Sequence, residues 1–252
     1  MRKTILLFLM LFLSAALSLD MLGRAFNKQA GVKRSRPAVK KEVRKPAVFE
    51  RIGEKISYDV RMGSFNIGRA EFNHQAKVSL DGRTVNLITF NTRVARFNDM
   101  EKIYSDAETF LPVKVERNIR SWPNNEKITE DYDQESFTLK ITKIRGRKNE
   151  ELFLKKDSAI HNAILLPFFV RQIEKLEPGW SMEANLPTQK FEIKLDNIEE
   201  IAVPAGRFKS YHFLSDPGRF EIWISADERR IPLKIKGSSG LGYTLVMREY
   251  NL

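Results

Sequence analysis

The chain contains no cysteine, which excludes disulfides, thiolate metal sites and a lipidated N-terminal cysteine. Histidine is nearly as scarce. His74, His161 and His212 stand apart, and none has a histidine or cysteine two or four positions on, the spacing a metal site on one strand or helix face needs. Two other signatures are missing. "GSSGLG", Gly237 to Gly242, has neither the Gly-Lys-Ser/Thr ending of a phosphate loop nor the spacing of a nucleophile elbow. Asp131, Asp133 and Glu135 would share one strand face and could attract a hard cation. No glycine follows at the sixth loop position and Thr142 stands at the twelfth, so they read as a solvated acidic edge. The residues supply no catalytic motif, and neither enzymatic activity nor a cofactor or metal is expected.

Acidic residues are few where the chain begins. Residues 1–45 hold 11 Lys and Arg against Asp20 and Glu42 alone, although the whole chain carries 43 basic and 32 acidic residues. The formal charge of +11 therefore belongs to the tail, and the remainder is close to neutral. Basic residues do interleave with aromatics in "TFNTRVARF" and "VKVERNIRSW", a pattern that suits polyanions. A near-neutral body behind an export signal argues against a nucleic-acid partner.

That signal is the opening "MRKTILLFLMLFLSAALSLD", in which Arg2 and Lys3 precede an uncharged apolar run from Thr4 to Leu19. The run suits a signal-peptide core and is short for a membrane span, which needs about 20 apolar residues. Residues 1–18 are expected to be a signal peptide cleaved near Ser18, or residues 4–22 an uncleaved anchor, delivering the body to a bacterial periplasm or cell envelope. Residues 19–48 form a basic linker without apolar periodicity, interrupted by Pro37 and Pro46. Its Lys33, Arg34, Arg36, Lys40, Lys41, Arg44 and Lys45 could grip anionic headgroups or simply keep the spacer extended.

From Ile56 the pattern turns to period two. Ile56, Tyr58, Val60 and Met62 share one face of a strand, and a second run begins at Phe65 and slips phase near Gly68, where a bulge would restore it. Asp81-Gly82 supplies a hairpin turn into "TVNLITFNTRV". Further strands are expected over 102–110, 113–119, 127–132, 137–144, 151–154, 191–201, 208–214, 220–225, 232–236 and 243–250. In "VPAGRF", Pro204 fixes φ in a turn and Gly206 tolerates positive φ, while Pro232 suits the first residue of a strand. So many strands in one domain, residues 49–252, must curl into an antiparallel meander forming a barrel or half-barrel, or split into two layers.

"DSAIHNAILLPFFVRQIEKLEPG" breaks the β pattern. Asp157 or Ser158 could cap a helix whose Phe169, Ile173 and Leu176 share a face, kinked or restarted at Pro167 and ended by Pro178-Gly179. This helix should cover the open side of the sheet, either as a fixed plug or as a mobile lid.

"GEKISYDVRMGSFNIGRAEF", "LLPFFVRQIEKLEPGWSMEANLP", "VPAGRFKSYHF" and "IWISADERRIPLKIKGSSGLG" follow one another in an order that resembles the exported bacterial family called domain of unknown function 3108. The resemblance spans about Phe49 to Tyr250, with "PAGRF" and "RRIPLKI" its best-matching elements. It implies a mostly β protein of the cell envelope and carries no catalytic residue. The leading expectation is a non-enzymatic, membrane-associated β structure that binds a lipid or other amphiphile between apolar walls. Tyr58, Phe65, Phe72, Phe168, Phe169, Trp180 and Trp223 are the candidate lining. Two others stand beside it: an assembly protein engaging envelope partners or the membrane surface, and a hydrolase of an envelope polymer with paired carboxylates.

Overall fold

The alternation read from the sequence becomes one antiparallel sheet. The computed structural model describes residues 51–121, 123–237 and 242–252, and among these fifteen strands pair together. The first nine are β1 (Lys55–Met62), β2 (Phe65–His74), β3 (Val78–Leu80), β4 (Arg83–Val94), β5 (Phe97–Asp106), β6 (Pro112–Ser121), β7 (Asn124–Asp133), β8 (Thr138–Arg145) and β9 (Lys148–Lys155). A helix, α1 (Leu166–Val170), separates them from β10 (Ser181–Asn185), β11 (Lys190–Val203), β12 (Gly206–Asp216), β13 (Phe220–Ser225), β14 (Pro232–Gly237) and β15 (Tyr243–Asn251). The signal segment, the basic linker with Lys33, Arg34, Arg36, Lys40, Lys41, Arg44 and Lys45, and residues 238–241 of "GSSGLG" lie outside the described residues.

The strands run in the order β10-β11-β12-β13-β14-β15-β1-β2-β4-β5-β6-β7-β8-β9, with β3 paired to β4 alone. The sheet does not close, because β9 and β10 stand at opposite ends of that order. Local devices anticipated above are in place. Val60 pairs with Gly68 and Arg61 with Asn66, which leaves Ile67 as the extra residue of a bulge. Gly68 is also where β4 comes closest: a Cβ there would lie 2.1 Å from the Arg93 carbonyl oxygen. Asp81-Gly82 joins β3 to β4, and Pro204-Ala205 turns β11 into β12.

The expected strand over 102–110 is shifted. Asp106 Oδ1 accepts the backbone N–H groups of Glu108 (3.0 Å) and Thr109 (2.7 Å), so the chain turns there and β5 ends at Asp106. Asp133 does the same for Glu135 and Ser136 between β7 and β8, so the acidic group at 131–135 closes a turn. β10 was not anticipated.

The helix also departs from expectation. Only Leu166–Val170 is helical, Pro167 opens it rather than kinking it, and Asp157 pairs with Lys190 at 2.8 Å instead of capping. Beyond Val170 the backbone carbonyls of Arg171, Ile173 and Glu174 accept hydrogen bonds from the Arg230 guanidinium. Those carbonyls are held by the β13–β14 turn, and the period at Phe169, Ile173 and Leu176 reflects contact with the sheet rather than a continuous helix.

Residues 156–180 cross the mouth of the curled sheet. Ile160 bridges to Asn185 of β10, and the Gln134 side chain holds Ile160 from the β7–β8 turn through its N–H and C=O, each at 2.9 Å. Leu165 and Phe168 then enter the apolar cluster built by β1, β2, β4–β9, β14, β15 and the end of β11, while Leu166 and Val170 enter a second cluster built by β10–β13. The Phe168 ring stacks on Phe72 with centroids 3.7 Å apart. Next to it, Arg171 makes a bidentate pair with Glu54, and both are buried. The wedge is thereby fixed to the sheet by one aromatic stack and one buried ion pair.

Removing the cation from that pair should be costly, since it leaves the buried Glu54 carboxylate to the more distant Arg51, at 3.7 Å. Arg171→Ala is expected to lower unfolding free energy by about 3–5 kcal/mol and Phe168→Ala by a similar ~3–5 kcal/mol, against less than about 0.5 kcal/mol for the exposed Lys175→Ala. Urea denaturation followed by circular dichroism measures all three, and equal values for Arg171→Ala and Lys175→Ala would sink the wedge account.

Candidate functional site

The β11–β12 turn folds back over β15, where the Ala205 N–H donates to the Met247 carbonyl at 3.3 Å. Between the turn, the 226–231 connection and the end of β15 lies an open cleft of about 320 Å³. Phe208, Ile231, Met247 and Tyr250 supply its apolar surface, and Arg229, Arg248 and Glu249 its polar rim. Ile231 and Met247 are core residues, so the floor is rigid. Arg229 is oriented by Asp227, with Nη2 2.7 Å from Oδ2, and Arg248 approaches Asp59 at 3.5 Å. A guanidinium carries five donors, more than one carboxylate takes, so both arginines keep donors for a further anion.

Two elements singled out in the sequence meet at this cleft. "PAGRF" contributes Ala205 and Phe208, and "RRIPLKI" contributes Arg229 and Ile231. The cleft also adjoins the point where the chain enters the body. Arg51, the first described residue, donates to the Tyr250 hydroxyl (3.3 Å) and to the Glu228 carbonyl (3.2 Å).

The seven aromatics proposed as lining are distributed differently, and none lines this cleft. Tyr58 is buried beneath it, donating to the Pro232 carbonyl at 3.0 Å, and burial raises its pKa far beyond the usual tyrosine range. Phe72 and Phe168 are consumed by their mutual stack. Phe169 stands edge-on to His161, and Trp180 edge-on to Phe213 in the second cluster. Trp223 is buried between His212, stacked at 4.2 Å, and the Lys234 ammonium, 4.1 Å from its ring, with its indole N–H donated to Glu199. Phe65 is 74% exposed at the start of β2 and faces no apolar enclosure. The structure gathers Tyr58, Phe72 and Phe168 into one core cluster and leaves the other four outside it.

The three histidines have structural surroundings. His74 is buried against Phe110, and His212 sits between Glu199 and Glu221 at 3.4 and 3.2 Å. His161 Nδ1 accepts the Asn185 N–H at 3.2 Å, and burial pushes its pKa down to about 4, which keeps the ring neutral.

A second polar site lies inside the sheet. Thr92, Asp99, Glu101, Arg117 and Glu130 project inward from β4–β7 and are all buried. Arg117 binds Asp99 through Nε at 2.8 Å and approaches Glu101 at 3.3 Å, while the Tyr132 hydroxyl donates to Glu130. Tyr132 also hydrogen-bonds Asn162, whose Oδ1 accepts the N–H groups of Ile164 and Leu165, so the layer is joined to the wedge. Three carboxyls around one guanidinium cannot all be ionised out of water. Burial raises the Glu101 carboxyl to about 8 against the pull of Arg117, with Asp99 and Glu130 adding to the rise, so Glu101 is a neutral acid near pH 7. Glu130 is likewise raised by burial.

The family model described as "Protein of unknown function (DUF3108)" matches residues 57–248. Among solved structures, the chain is similar to a β-barrel-like protein of domain of unknown function DUF1849 from Brucella abortus. The TM-score is 0.49 and the identity 9%, over 80% of this chain and 98% of that one. It is also similar to a presumed exported protein with a YmcC-like fold from Bacteroides fragilis, at a TM-score of 0.30 and 8% identity, over 82% of this chain and all of the other. No curated protein matches the chain.

Glu101 makes stability depend on pH with a definite sign. Its folded pKa lies above its unfolded one, so between about pH 4.5 and 8 the native state holds a proton that the unfolded state releases. This contribution is complete below the unfolded value and is lost as pH rises through about 8. Glu101→Gln should therefore flatten the decline in melting temperature between pH 5 and 8.5, as read by thermal melts of both proteins. Parallel profiles for the two would show that Glu101 does not hold the proton.

Proposed function

The chain belongs to the DUF3108 family, which is described as being of unknown function, so its role has to be argued from its own residues, and we propose that it is a non-enzymatic cell-envelope protein that binds an amphiphile with an anionic head. The observation that carries this reading is the cleft, which Phe208, Ile231 and Met247 line together with the arginines Arg229 and Arg248. An alkyl chain gains from leaving water against the floor, and a phosphate or carboxylate head gains charge-assisted hydrogen bonds at the rim. Its volume of about 320 Å³ sits at the small end of ligand sites, which suits part of a molecule still embedded elsewhere.

Position supports the same reading. The apolar start of the sequence would be at the membrane during export, and the basic linker that follows reaches the body through Arg51 at the cleft. A protein held there would present the cleft toward anionic headgroups, to which each Lys or Arg near the surface adds about 1 kcal/mol. The interior of the sheet is not the binding space in this account, because Phe168, Leu165 and Ile160 fill it.

The test is native mass spectrometry with solvent extraction on the protein purified from an envelope fraction. A discrete lipid or amphiphile should co-purify and be lost in Ala205→Trp, which fills the cleft from its exposed turn, and be depleted in Arg248→Glu. A bare polypeptide mass, also after incubation with anionic phospholipid vesicles, would reject the reading.

A further inference from the structure

We propose that β9 is an edge through which two copies of this chain join their sheets. Among the described residues β9 ends the strand order, and the outer face it shares with β8 exposes two large apolar side chains, Phe153 at 69% and Ile144 at 44%. A strand edge with free N–H and C=O groups beside exposed apolar surface is a template for another strand. The sequence of β9 determines which strand fits it.

The register follows from the β8–β9 hairpin. Gly146 and Arg147 form a two-residue turn, with Gly146 at φ +59°, so Arg145 and Lys148 are its closing pair. The closing pair of such a hairpin exchanges both hydrogen bonds, and alternate pairs do so thereafter. Residues 148, 150, 152 and 154 therefore bond to β8. Asn149, Glu151, Phe153 and Lys155 direct their backbone groups to the free edge, and their side chains lie on the outer face.

An antiparallel partner on a two-fold axis must place these odd residues opposite one another. Centring the axis on Glu151 sets that carboxylate against its own copy and Arg147 against Lys155 of the second chain. Centring it on Lys155 sets two ammonium groups together. With the axis at Phe153 the two phenyl rings meet, Glu151 faces Lys155 of the second copy on both sides, and Leu152 faces its Leu154 on the inner side. Centring it on Asn149 would also pair opposite charges, Glu151 with Arg147 and Glu150 with Lys148, but would leave Phe153 beyond the partner strand, so the Phe153 register alone pairs opposite charges and keeps both apolar rows continuous. Glu151 already contacts Lys140 at 2.9 Å, and the Lys140 ammonium lies 5.4 Å from the Phe153 ring, so the acid and the ring are positioned on the correct face before any partner arrives. Charged residues that keep an edge from pairing with arbitrary strands here select a second copy of the same one.

The test is sedimentation velocity on the full-length chain in mild detergent, with circular dichroism to confirm folding of each variant. The wild-type chain should dimerise, and Glu151→Lys and Lys155→Glu should each weaken the dimer by about tenfold or more, since each places like charges opposite one another twice. Mixing the two single variants should restore a heterodimer, as should combining both substitutions in one chain. A chain that stays monomeric over the whole measurable concentration range overturns the proposal. So does a dimer that neither single variant weakens, because β9 would then not be its interface.

Discussion

Phe168 stacked on Phe72 is the contact on which the rest of the architecture depends. A sheet that curls without closing leaves the apolar rows of its inner face without a facing layer, and two free ends cannot hold it in a fixed curvature. The segment between β9 and β10 meets both needs. It supplies side chains to both apolar clusters, the Glu54–Arg171 pair and the Arg230 clamp tie it to the middle of the sheet order, and Ile160 ties it to β10 through Asn185. Curvature is held from inside.

That arrangement explains why the inner surface tolerates charge. Once the wedge excludes water from one end of the curl, inward carboxyls either find a cation or keep a proton. Asp99 takes the first course with Arg117 and Glu101 the second. Tyr132 and Asn162 then connect the layer to the wedge that buried it, so packing and protonation are properties of one network.

Much of this was legible from residue order, and the misses have physical causes. Period two located the strands because each has one buried face, and β13 and β14 begin at the anticipated residues. Phe169, Ile173 and Leu176 carry the spacing of a helix face, but the backbone from Arg171 to Glu174 is held by Arg230, which is distant in sequence. The cleft could not be read directly, since Phe208 of β12, Arg229 of the 226–231 connection and Tyr250 of β15 are far apart in sequence and only the fold brings them together. The buried ionic layer was within reach: Asp99 and Glu101 fall in phase with Phe97 and Ile103, and a charge in the apolar phase of a strand marks an interior polar site. Phe65 shows the converse, an apolar residue in phase at a strand end that the curl leaves outside.

The strand order places β1 between β2 and β15, so that Lys55 pairs with both Asn73 and Asn251. Strands β1 to β9 are joined by short turns and can zip in the order they are made, each closing only a small loop. β1 is different. Its second edge waits for a strand nearly two hundred residues further along the chain, and until that strand arrives the centre of the finished sheet is an open margin. An emerging chain of this topology completes its middle last, and any factor that shields extended strands before folding is complete would find its longest-lived target there.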